Sequence, residues 1–425
     1  MKRLAFILLI AISQVVYGTS ILIPMDVAQT NHLKAYGLAY LALKKDVAVD
    51  WFLNYRGGSF MIAWSAWLER ECVVRGIYFE KISAQQVNTL LAQVSNPSVN
   101  MDVVRLDQAP RIAVYSPKNE LIADESDAVI NVLDYAEIPY TILYDEEILK
   151  DELANFDWLH LHHEDFTGQV SKELFRQEKQ VESKMQEIMA AKLGYGRVSA
   201  MKYDVAKKIL AFCSAGHYLF AMCSGAETFD IALAAQGQDI ESEMSEGTGV
   251  ALDYSRSLAF ENFELQGTGR NFSDINIGGW GNNNSENDFF RLFQFSAKWD
   301  VVPSLLTQNH EQVIRDFNGL TTAFNPARVK PEVLVMAENK QKPNVRYIYG
   351  EVGKGHFTYY SGHDPEGMQG GRGGGRGGPG WQGGQGGGRG MPRKTDLNLY
   401  PHSPGYRLIL NNVLFPSAHK KRQKT

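Results

Sequence analysis

Short apolar runs alternate with amphipathic helical patterns along most of this chain. From residue 110 onward, PRIAVYSP, ESDAVINVLDYAEI and PYTILYDEE predict a strand, a helix and a strand. The predicted strands are apolar at consecutive positions, which is typical of parallel strands buried on both faces. SILIPM, NHLKAYGLAYLALKK and VAVDWFLNY, within residues 20–56, repeat this order. The repetition indicates either two similar α/β halves or the general likeness of strand–helix–strand units.

The same pattern continues through the rest of the chain. FDWLHLHH predicts a third strand, and the charged stretch over residues 167–200 predicts a solvated helical insertion. The helix DVAKKILAFCSAG precedes the strand YLFAM and the helix GAETFDIALAA. PEVLVMAENK and NVRYIYGEVGKGHFTYYSGHDPE predict further strands, with Gly353 and Gly355 at a hairpin turn. Alternating strands and helices predict an α/β, doubly wound sheet, whose ligands bind beyond the carboxyl ends of the strands.

Composition shifts divide the chain into segments. Residues 1–18 start with a basic pair before a short apolar run, which predicts a secretory signal peptide and a periplasmic or secreted protein. We expect an N-terminal α/β region over residues 19–108, in which FMIAWSAWLERECVV and SAQQVNTLLAQV predict helices. A second domain is expected over residues 109–418. Its Gly/Arg-rich tract, residues 367–394, predicts a disordered loop because it has too little apolar surface to bury. Residues 419–425 form a basic tail.

The charge balance and the cysteine count narrow the functional classes. A net charge of -5 does not favour a nucleic-acid partner. After the predicted signal peptide, no apolar run is long enough to predict a membrane span. Because the cysteine count is odd, at least one of Cys72, Cys213 and Cys223 lies outside any intramolecular disulfide. Either Cys72 pairs with Cys213, or all three thiols are free and mostly buried. The oligomeric state stays open.

Cys223 lies between a predicted strand and a predicted helix, in YLFAMCSGAETFDIAL. Ala221 and Gly225 are the small neighbours that a nucleophile elbow needs two positions to either side of its nucleophile. The N-terminus of the following helix favours a thiolate over a thiol, and the amide of Ser224 is a candidate oxyanion donor. A buried core thiol is the alternative interpretation.

His363, in YYSGHDPEG at the end of a predicted strand, is the candidate base for that thiolate. Asp364 and Glu366 are close enough in sequence to orient its imidazole, as the acid of a catalytic triad does. A hydrogen-bonded structural histidine is the alternative for His363 alone. A cysteine and a histidine at two strand ends, in this order, favour a functional pair.

The motif AMCSGAE, followed far downstream by GKGHFTYYSGHDPE, resembles the class I glutamine amidotransferase-like superfamily. The resemblance covers about residues 109–366 and the closing helix, in LNLYPHSPGYRLILNNVLF. It implies a flavodoxin-like sandwich with a Cys-His-acid triad, in which Cys223 is the nucleophile, His363 the base, and Glu366 or Asp364 the orienting acid. Two positions depart from the superfamily pattern. The glutamate stands three residues after the histidine instead of two, and alanine replaces the commoner glycine at the first elbow position.

The whole chain also resembles exported bacterial proteins labelled asparagine synthetase B, through NYRGGSF, LHLHHEDFTGQ and SPGYRLILNNVLFP. An SGGxDS-type ATP pyrophosphatase loop, which such a synthetase needs, does not occur in the sequence. The resemblances together imply a cysteine-dependent amide or ester hydrolase that forms an acyl-enzyme with a small-molecule, peptide or glycan amide. This chemistry needs no cofactor. The alternatives are a non-catalytic ligand- or glycan-binding protein with a degenerate amidotransferase fold, and a glutamine-dependent amidotransferase.

A second group of polar residues lies at the end of the third predicted strand and directly after it. These are His160, His162, His163, Glu164 and Asp165. On a strand, His160 and His162 share one face, and both would border the same crevice as Cys223. Imidazole and carboxylate groups are ligands for divalent transition metals, so His160, His162 and Glu164 are candidate metal ligands. Ordinary pocket polarity is the alternative for this cluster.

Two further residues are candidates for binding. Gly168, in DFTG, is a candidate second oxyanion donor by analogy with the fold alone. Arg56, in NYRGGSF, is a candidate for holding an anionic or polar substrate group near a helix start. A tight turn through Gly57 and Gly58 is the alternative role for that segment.

Overall fold

A computed structural model describes residues 18–116, 127–162, 164–168, 180–266, 271–278, 289–315, 322–366 and 394–418. The architecture is mixed α/β, as predicted, and is built on two sheets. The described strands are β1 (Ser20–Ile23), β2 (Val49–Leu53), β3 (Ser59–Ala63), β4 (Glu80–Ile82), β5 (Asp102–Leu106), β6 (Ile112–Tyr115), β7 (Thr141–Leu143), β8 (Trp158–Leu161), β9 (Tyr218–Met222), β10 (Phe289–Leu292), β11 (Val313–Arg315), β12 (Leu334–Asn339), β13 (Asn344–Val352) and β14 (Gly355–Tyr360). The described α-helices are α1 (His32–Lys44), α2 (Ala66–Val74), α3 (Ala84–Ser95), α4 (Ala128–Ala136), α5 (Asp145–Leu149), α6 (Gln180–Lys192), α7 (Val198–Ser214), α8 (Cys223–Ala235), α9 (Ile240–Glu246), α10 (Val301–Leu306) and α11 (Pro404–Leu414).

The larger sheet has the strand order β11-β10-β12-β13-β14-β9-β8-β6-β7. Strands β7, β6, β8, β9 and β14 are parallel, and the remaining strands extend the sheet through antiparallel pairs. The chain forms β7 on one side of β6 and β8 on the other, so the order reverses between β6 and β8. Such a switch point opens a crevice at the carboxyl ends of the strands. His162 and Cys223 directly follow β8 and β9 at that edge.

The smaller sheet, β4-β1-β3-β2-β5, is antiparallel throughout. The strand, helix and strand predicted over residues 20–56 are present as β1, α1 and β2, and the two strands run in the same direction because each is antiparallel to β3. The prediction that they belong to a parallel sheet is wrong, because every pairing of these strands is antiparallel. The predicted helix over FMIAWSAWLERECVV is also wrong at its start, because Phe60–Ala63 lie in β3 and α2 begins only at Ala66. The short turn after β2 folds β3 back beside it, and only an antiparallel pair can be joined by so few residues. Strand β3 consequently separates β1 from β2.

One apolar core includes residues from both sheets and from α1, α4 and α11. Gly37 permits the contact between α1 and α4, because a Cβ atom there would lie 1.9 Å from the carbonyl oxygen of Ala136. The predicted closing helix is confirmed as α11, in which Gly405–Leu414 are buried. This helix anchors the end of the described chain against the small-sheet region and the large sheet alike.

The three cysteines are free and buried, so the predicted alternative of a Cys72–Cys213 disulfide is wrong and that of three buried thiols is confirmed. In the described part of the chain, no helix is long and apolar enough to cross a membrane. The predicted signal peptide up to residue 17, the Gly/Arg-rich tract up to residue 393 and the basic tail lie outside the described residues. The predicted helical insertion corresponds in its described part to α6 and the start of α7.

A cysteine and histidine site at the carboxyl edge of the large sheet

Cys223 occupies a strained turn between β9 and α8. Its φ angle is +49°, in the left-handed region that non-glycine residues seldom adopt. The strand–turn–helix geometry predicted for a nucleophile elbow is therefore present around this residue. The Cys223 side chain is 3 % exposed, so only a small group can reach its sulfur without movement of the surrounding chain.

Gly225 allows the first turn of α8 to approach the end of β8. Its N–H donates a hydrogen bond of 2.6 Å to the carbonyl oxygen of His162. A Cβ atom at position 225 would lie 2.6 Å from the same oxygen and 3.0 Å from the Glu164 carboxylate. Because both distances are shorter than normal contacts, only glycine fits here without displacing a neighbour. The small residue predicted from the elbow pattern thus has a specific backbone partner.

Three side chains from three strand ends meet at this edge. Nε2 of His162, after β8, lies 3.2 Å from Nδ1 of His363, after β14. One ligand atom each from His162, Cys223 and His363 lies within 4.8 Å of the others. The structure thus brings the predicted pair Cys223 and His363 together, and it adds His162 as the neighbour of the His363 ring.

Asp127 contacts two histidines of this site and was not identified from the sequence. It caps the N-terminus of α4, where one carboxylate oxygen accepts from the N–H groups of Val129 and Ile130. The same carboxylate lies 3.1 Å from Nδ1 of His162 and 3.3 Å from Nε2 of His160. Burial alone would raise the pKa of Asp127, but the two imidazoles lower it well below its usual range. Asp127 is therefore the ionised carboxylate of the site.

His160 is buried in the interior and is not exposed to solvent. It is fully buried beside the rings of Trp158 and Phe220, and its Nδ1 lies 3.2 Å from the Phe220 carbonyl oxygen. Burial lowers the pKa of His160, although Asp127 opposes this effect. As a neutral ring it has one N–H, for which the Phe220 carbonyl and the Asp127 carboxylate compete. His160 thus helps to fix Asp127, and His162 is the histidine that faces Cys223.

Glu164 is buried beside the elbow. Its carboxylate accepts a hydrogen bond from the backbone N–H of His162, and its carbonyl oxygen accepts from the Thr228 hydroxyl at 2.5 Å. Burial raises the pKa of Glu164 to about 8. Of the predicted metal ligands, His160 and His162 lie together with Asp127 in a second group of three candidate ligands, whereas Glu164 is not part of that group.

The predicted orienting acids lie in the loop after β14. The Asp364 carboxylate accepts hydrogen bonds from the Tyr406 hydroxyl at 2.8 Å and the Thr395 hydroxyl at 2.6 Å. It also accepts from the backbone N–H of Glu366 at 3.0 Å. These bonds tie the loop that carries His363 to α11 and to the segment before it. Asp364 accordingly has a described role in positioning this loop.

The remaining predicted residues lie in three places. Ser224 is the second residue of α8, next to the thiol. Gly168 has a φ angle of +75° and packs near the start of α7, where a Cβ atom would lie 3.2 Å from the Ser199 nitrogen. Arg56 lies in the turn between β2 and β3 of the small sheet, where its guanidinium forms 2.7 Å ion pairs with Asp26 and Glu80. These two carboxylates neutralise the positive charge of Arg56, which is predicted from the sequence to hold an anionic or polar substrate group.

Comparisons with known proteins add little to this geometry. No protein-family model and no curated protein matches the chain. Among solved structures, the cytoplasmic protein STM3548 from Salmonella typhimurium aligns with a TM-score of 0.30 and 8% identity over 59% of this chain and 87% of its own. The N-terminal domain of mmIFT52 aligns with a TM-score of 0.28 and 12% identity over 59% of this chain and 85% of its own. At such scores, neither likeness establishes a shared fold.

Proposed function

We propose that this protein is a cysteine-dependent hydrolase that cleaves an amide or ester through an acyl-enzyme. The observation that carries the proposal is the Cys223 elbow, at a positive φ angle, with the imidazoles of His162 and His363 within 4.8 Å of one another and of the sulfur. A strained nucleophile beside an imidazole that is itself held by a second group is the arrangement of nucleophilic catalysis.

The contacts between these side chains favour a single direction for the protons. The Asp127 carboxylate lies 3.1 Å from Nδ1 of His162, and its negative charge favours a proton on that nitrogen. Nε2 of His162 then accepts a hydrogen bond from the Nδ1–H of His363. In this tautomer Nε2 of His363 has a lone pair, to which the proposal assigns the proton of the nearby Cys223 thiol. In this proposal Asp127 and His162 orient the His363 ring, in addition to the predicted acids Asp364 and Glu366 of the same loop.

The chemistry then follows from the two reacting groups. His363 removes the Cys223 proton, and the sulfur attacks the substrate carbonyl, whose oxygen is close to the N-terminus of α8. The resulting imidazolium returns its proton to the leaving amine or alcohol as the carbon–heteroatom bond breaks. Water, deprotonated by the same imidazole, hydrolyses the thioester and restores the thiol.

The finer description of the fold belongs to this proposal. The parallel strands β7-β6-β8-β9-β14 have the order 2-1-3-4-5 when numbered along the chain, which is the flavodoxin-like order. That order supports the class I glutamine amidotransferase-like assignment, with an exported protein acting on a small-molecule, peptide or glycan amide. The strand order and the elbow support the assignment independently of the weak structural neighbours.

Selective alkylation tests the nucleophile. Iodoacetamide at pH 7 is expected to modify Cys223 in the folded protein and to leave Cys72 and Cys213 unmodified, as measured by peptide mass spectrometry. Those two thiols are internal controls because each is 0 % exposed and burial raises the pKa of each to about 12. His363→Ala is expected to slow modification of Cys223 by about tenfold or more.

The half-buried His217, which stacks on Phe212, provides the matched control. His217→Ala is expected to leave the Cys223 rate unchanged, and circular dichroism verifies that each variant is folded. Incubation with p-nitrophenyl acetate should leave an acetyl group on Cys223 in the wild-type protein and in His217→Ala, but not in His363→Ala. Equal modification of all three cysteines, or a Cys223 rate that ignores His363, would contradict the proposal.

A transition-metal site is the second candidate, and one distance favours it. The 3.2 Å between Nε2 of His162 and Nδ1 of His363 is close to the separation of two imidazole ligands around tetrahedral zinc, about 3.3 Å for bonds of 2.0–2.1 Å. Cys223 would be the third ligand, and Asp127 would orient His162 as a carboxylate partner of a metal-bound histidine. Zinc in such a site supplies Lewis-acid activation of a carbonyl.

Metal loading separates the two candidates. If the site is a metal centre, dialysis against zinc should leave one equivalent per chain, and bound zinc should protect Cys223 from iodoacetamide until a chelator is added. Cys223→Ser and His162→Ala should each lower the stoichiometry, whereas His217→Ala should not. If the site is a thiol nucleophile, alkylation of Cys223 should be the same with and without the chelator.

A further inference from the structure

A cleft lies between the small sheet and the antiparallel part of the large sheet, and it shares no lining residue with the cysteine site. Its walls are the turn after β2, the loop before β5, the segment that follows β10 and the segment that follows α10. Its volume is about 260 Å³. Pockets for drug-sized ligands have roughly 300–1,000 Å³, so this cleft suits a smaller ligand or one unit of a longer one.

Half of the residues that line the cleft carry side-chain amides. These are Asn54, Asn100, Gln294, Gln308, Asn309 and Gln312. Among the described lining residues, Glu311 is the only one with a charged side chain. A surface of this kind has no cation to attract an anionic ligand, and it presents neutral donors and acceptors side by side. The chemistry therefore favours an uncharged ligand that is rich in hydrogen-bonding groups.

Hydrogen bonds hold part of this wall in place. Gln308 is buried. Its side-chain oxygen accepts from the backbone N–H of Asn54 at 2.8 Å, and its side-chain nitrogen donates to Oδ1 of Asn54 at 2.9 Å. Asn100 accepts from the Ala297 N–H at 2.8 Å and donates to the Phe295 carbonyl oxygen at 3.2 Å. The two sheets are thus cross-linked on either side of the cleft, which fixes the spacing of its walls before any ligand binds.

The same amides keep capacity for a ligand. A carboxamide has two N–H donors and two acceptor lone pairs, and the described bonds of Asn100 use about half of them. The side chains of Gln294 and Gln312 form no hydrogen bond within the described part of the chain, and both residues are exposed. Phe293 is 37 % exposed and adds an aromatic surface to the lining.

We propose that this cleft binds a neutral sugar ring through its adjacent hydroxyl groups. Each hydroxyl is both a donor and an acceptor, and two neighbouring hydroxyls match the paired C=O and NH₂ of one carboxamide. The apolar face of the ring would pack on Phe293. A peptide is less well matched, because its backbone presents isolated donors and acceptors along a strand, whereas a carboxamide presents its donor and acceptor side by side.

Saturation-transfer NMR with a panel of neutral mono- and disaccharides tests the proposal on the full-length protein. At least one sugar is expected to bind, and Gln312→Ala and Gln294→Ala are each expected to weaken it by about tenfold, the effect of losing one ligand hydrogen bond. Gln341→Ala removes an exposed amide elsewhere and should change nothing. Cys223→Ser should also leave sugar binding unchanged, because the cleft is a separate site.

Three results would overturn the proposal. They are no binding of any neutral sugar, binding that persists at full strength in both glutamine variants, and binding of uncharged dipeptides with no sugar bound. Thermal melts of both glutamine variants show whether the fold is retained. If both variants were unfolded, Gln312→Glu, which keeps the side-chain size and repositions no backbone, would replace them, with the same weakening expected.

Discussion

Replacing Lys202 with methionine is expected to lower the free energy of unfolding by about 3–5 kcal/mol. Nζ of Lys202, in α7, lies 2.8 Å from both carboxylate oxygens of Asp145 and 2.8 Å from the Tyr115 hydroxyl. The Tyr115 hydroxyl also donates to Asp145 at 2.5 Å. The Lys202 and Asp145 side chains are 1 % and 3 % exposed. Methionine keeps the length of the side chain but leaves a buried carboxylate without its cation.

Urea unfolding followed by circular dichroism measures this effect, and the same helix offers a matched control. Lys207 forms an exposed pair with Asp204 at 2.7 Å, so Lys207→Met should cost less than about 1 kcal/mol. The double variant Lys202→Met/Asp145→Leu removes both charges and should recover much of the loss. Equal costs for Lys202→Met and Lys207→Met, or no recovery in the double variant, would show that the loss does not come from an unpaired buried carboxylate.

In the wild-type protein, Glu164 is expected to lower the free energy of unfolding as the pH rises from about 4.3 to about 8, and Glu164→Gln is expected to remove this decline. Burial raises the pKa of Glu164 to about 8 in the folded protein, whereas an unfolded glutamate titrates near 4.3. Between these values the folded state holds a proton that the unfolded state has lost. The stabilisation is fully present below pH 4.3 and is lost as the pH rises through 8, with a slope of up to about 1.4 kcal/mol per pH unit.

The measurement is urea unfolding of the wild-type protein and of Glu164→Gln at several values between pH 4.5 and 8. Only the difference between the two proteins is attributed to Glu164, because buried histidines and Asp127 also titrate. Glu332→Gln is the control, since Glu332 is exposed and its substitution should leave the slope unchanged. Parallel pH profiles for the wild-type protein and Glu164→Gln would refute an elevated pKa at this carboxyl.

The candidate site was partly predictable from local sequence. The elbow at Cys223 depends on its neighbours in the chain, and the small residue at position 225 is visible directly. His363 was also identified from its position after a predicted strand. The contact of His162 with His363 was not, because these residues are 201 positions apart and meet only once β8, β9 and β14 lie side by side.

The contacts of Asp127 with the two histidines were also not predictable from local sequence. Its sequence context, an acidic residue before AVINVL, indicates a helix cap, and the structure confirms that cap. Nothing in the local pattern indicates that the same carboxylate also faces His160 and His162, which lie in and directly after β8. The acids next to His363 in the sequence were the natural candidates for orienting it, yet Asp364 is held by Tyr406 and Thr395.

The sequence by itself determined the α/β class, most helices and strands of the large sheet, and the strand-to-helix turn at Cys223. These features follow from hydrophobic periodicity and from small residues within one segment, so they need no knowledge of distant parts of the chain. Only the tertiary structure decided the antiparallel small sheet, the Asp127–His162–His363 arrangement and the amide-lined cleft. Each of these depends on which segments become neighbours, and burial and electrostatics act on those neighbours through space rather than along the chain.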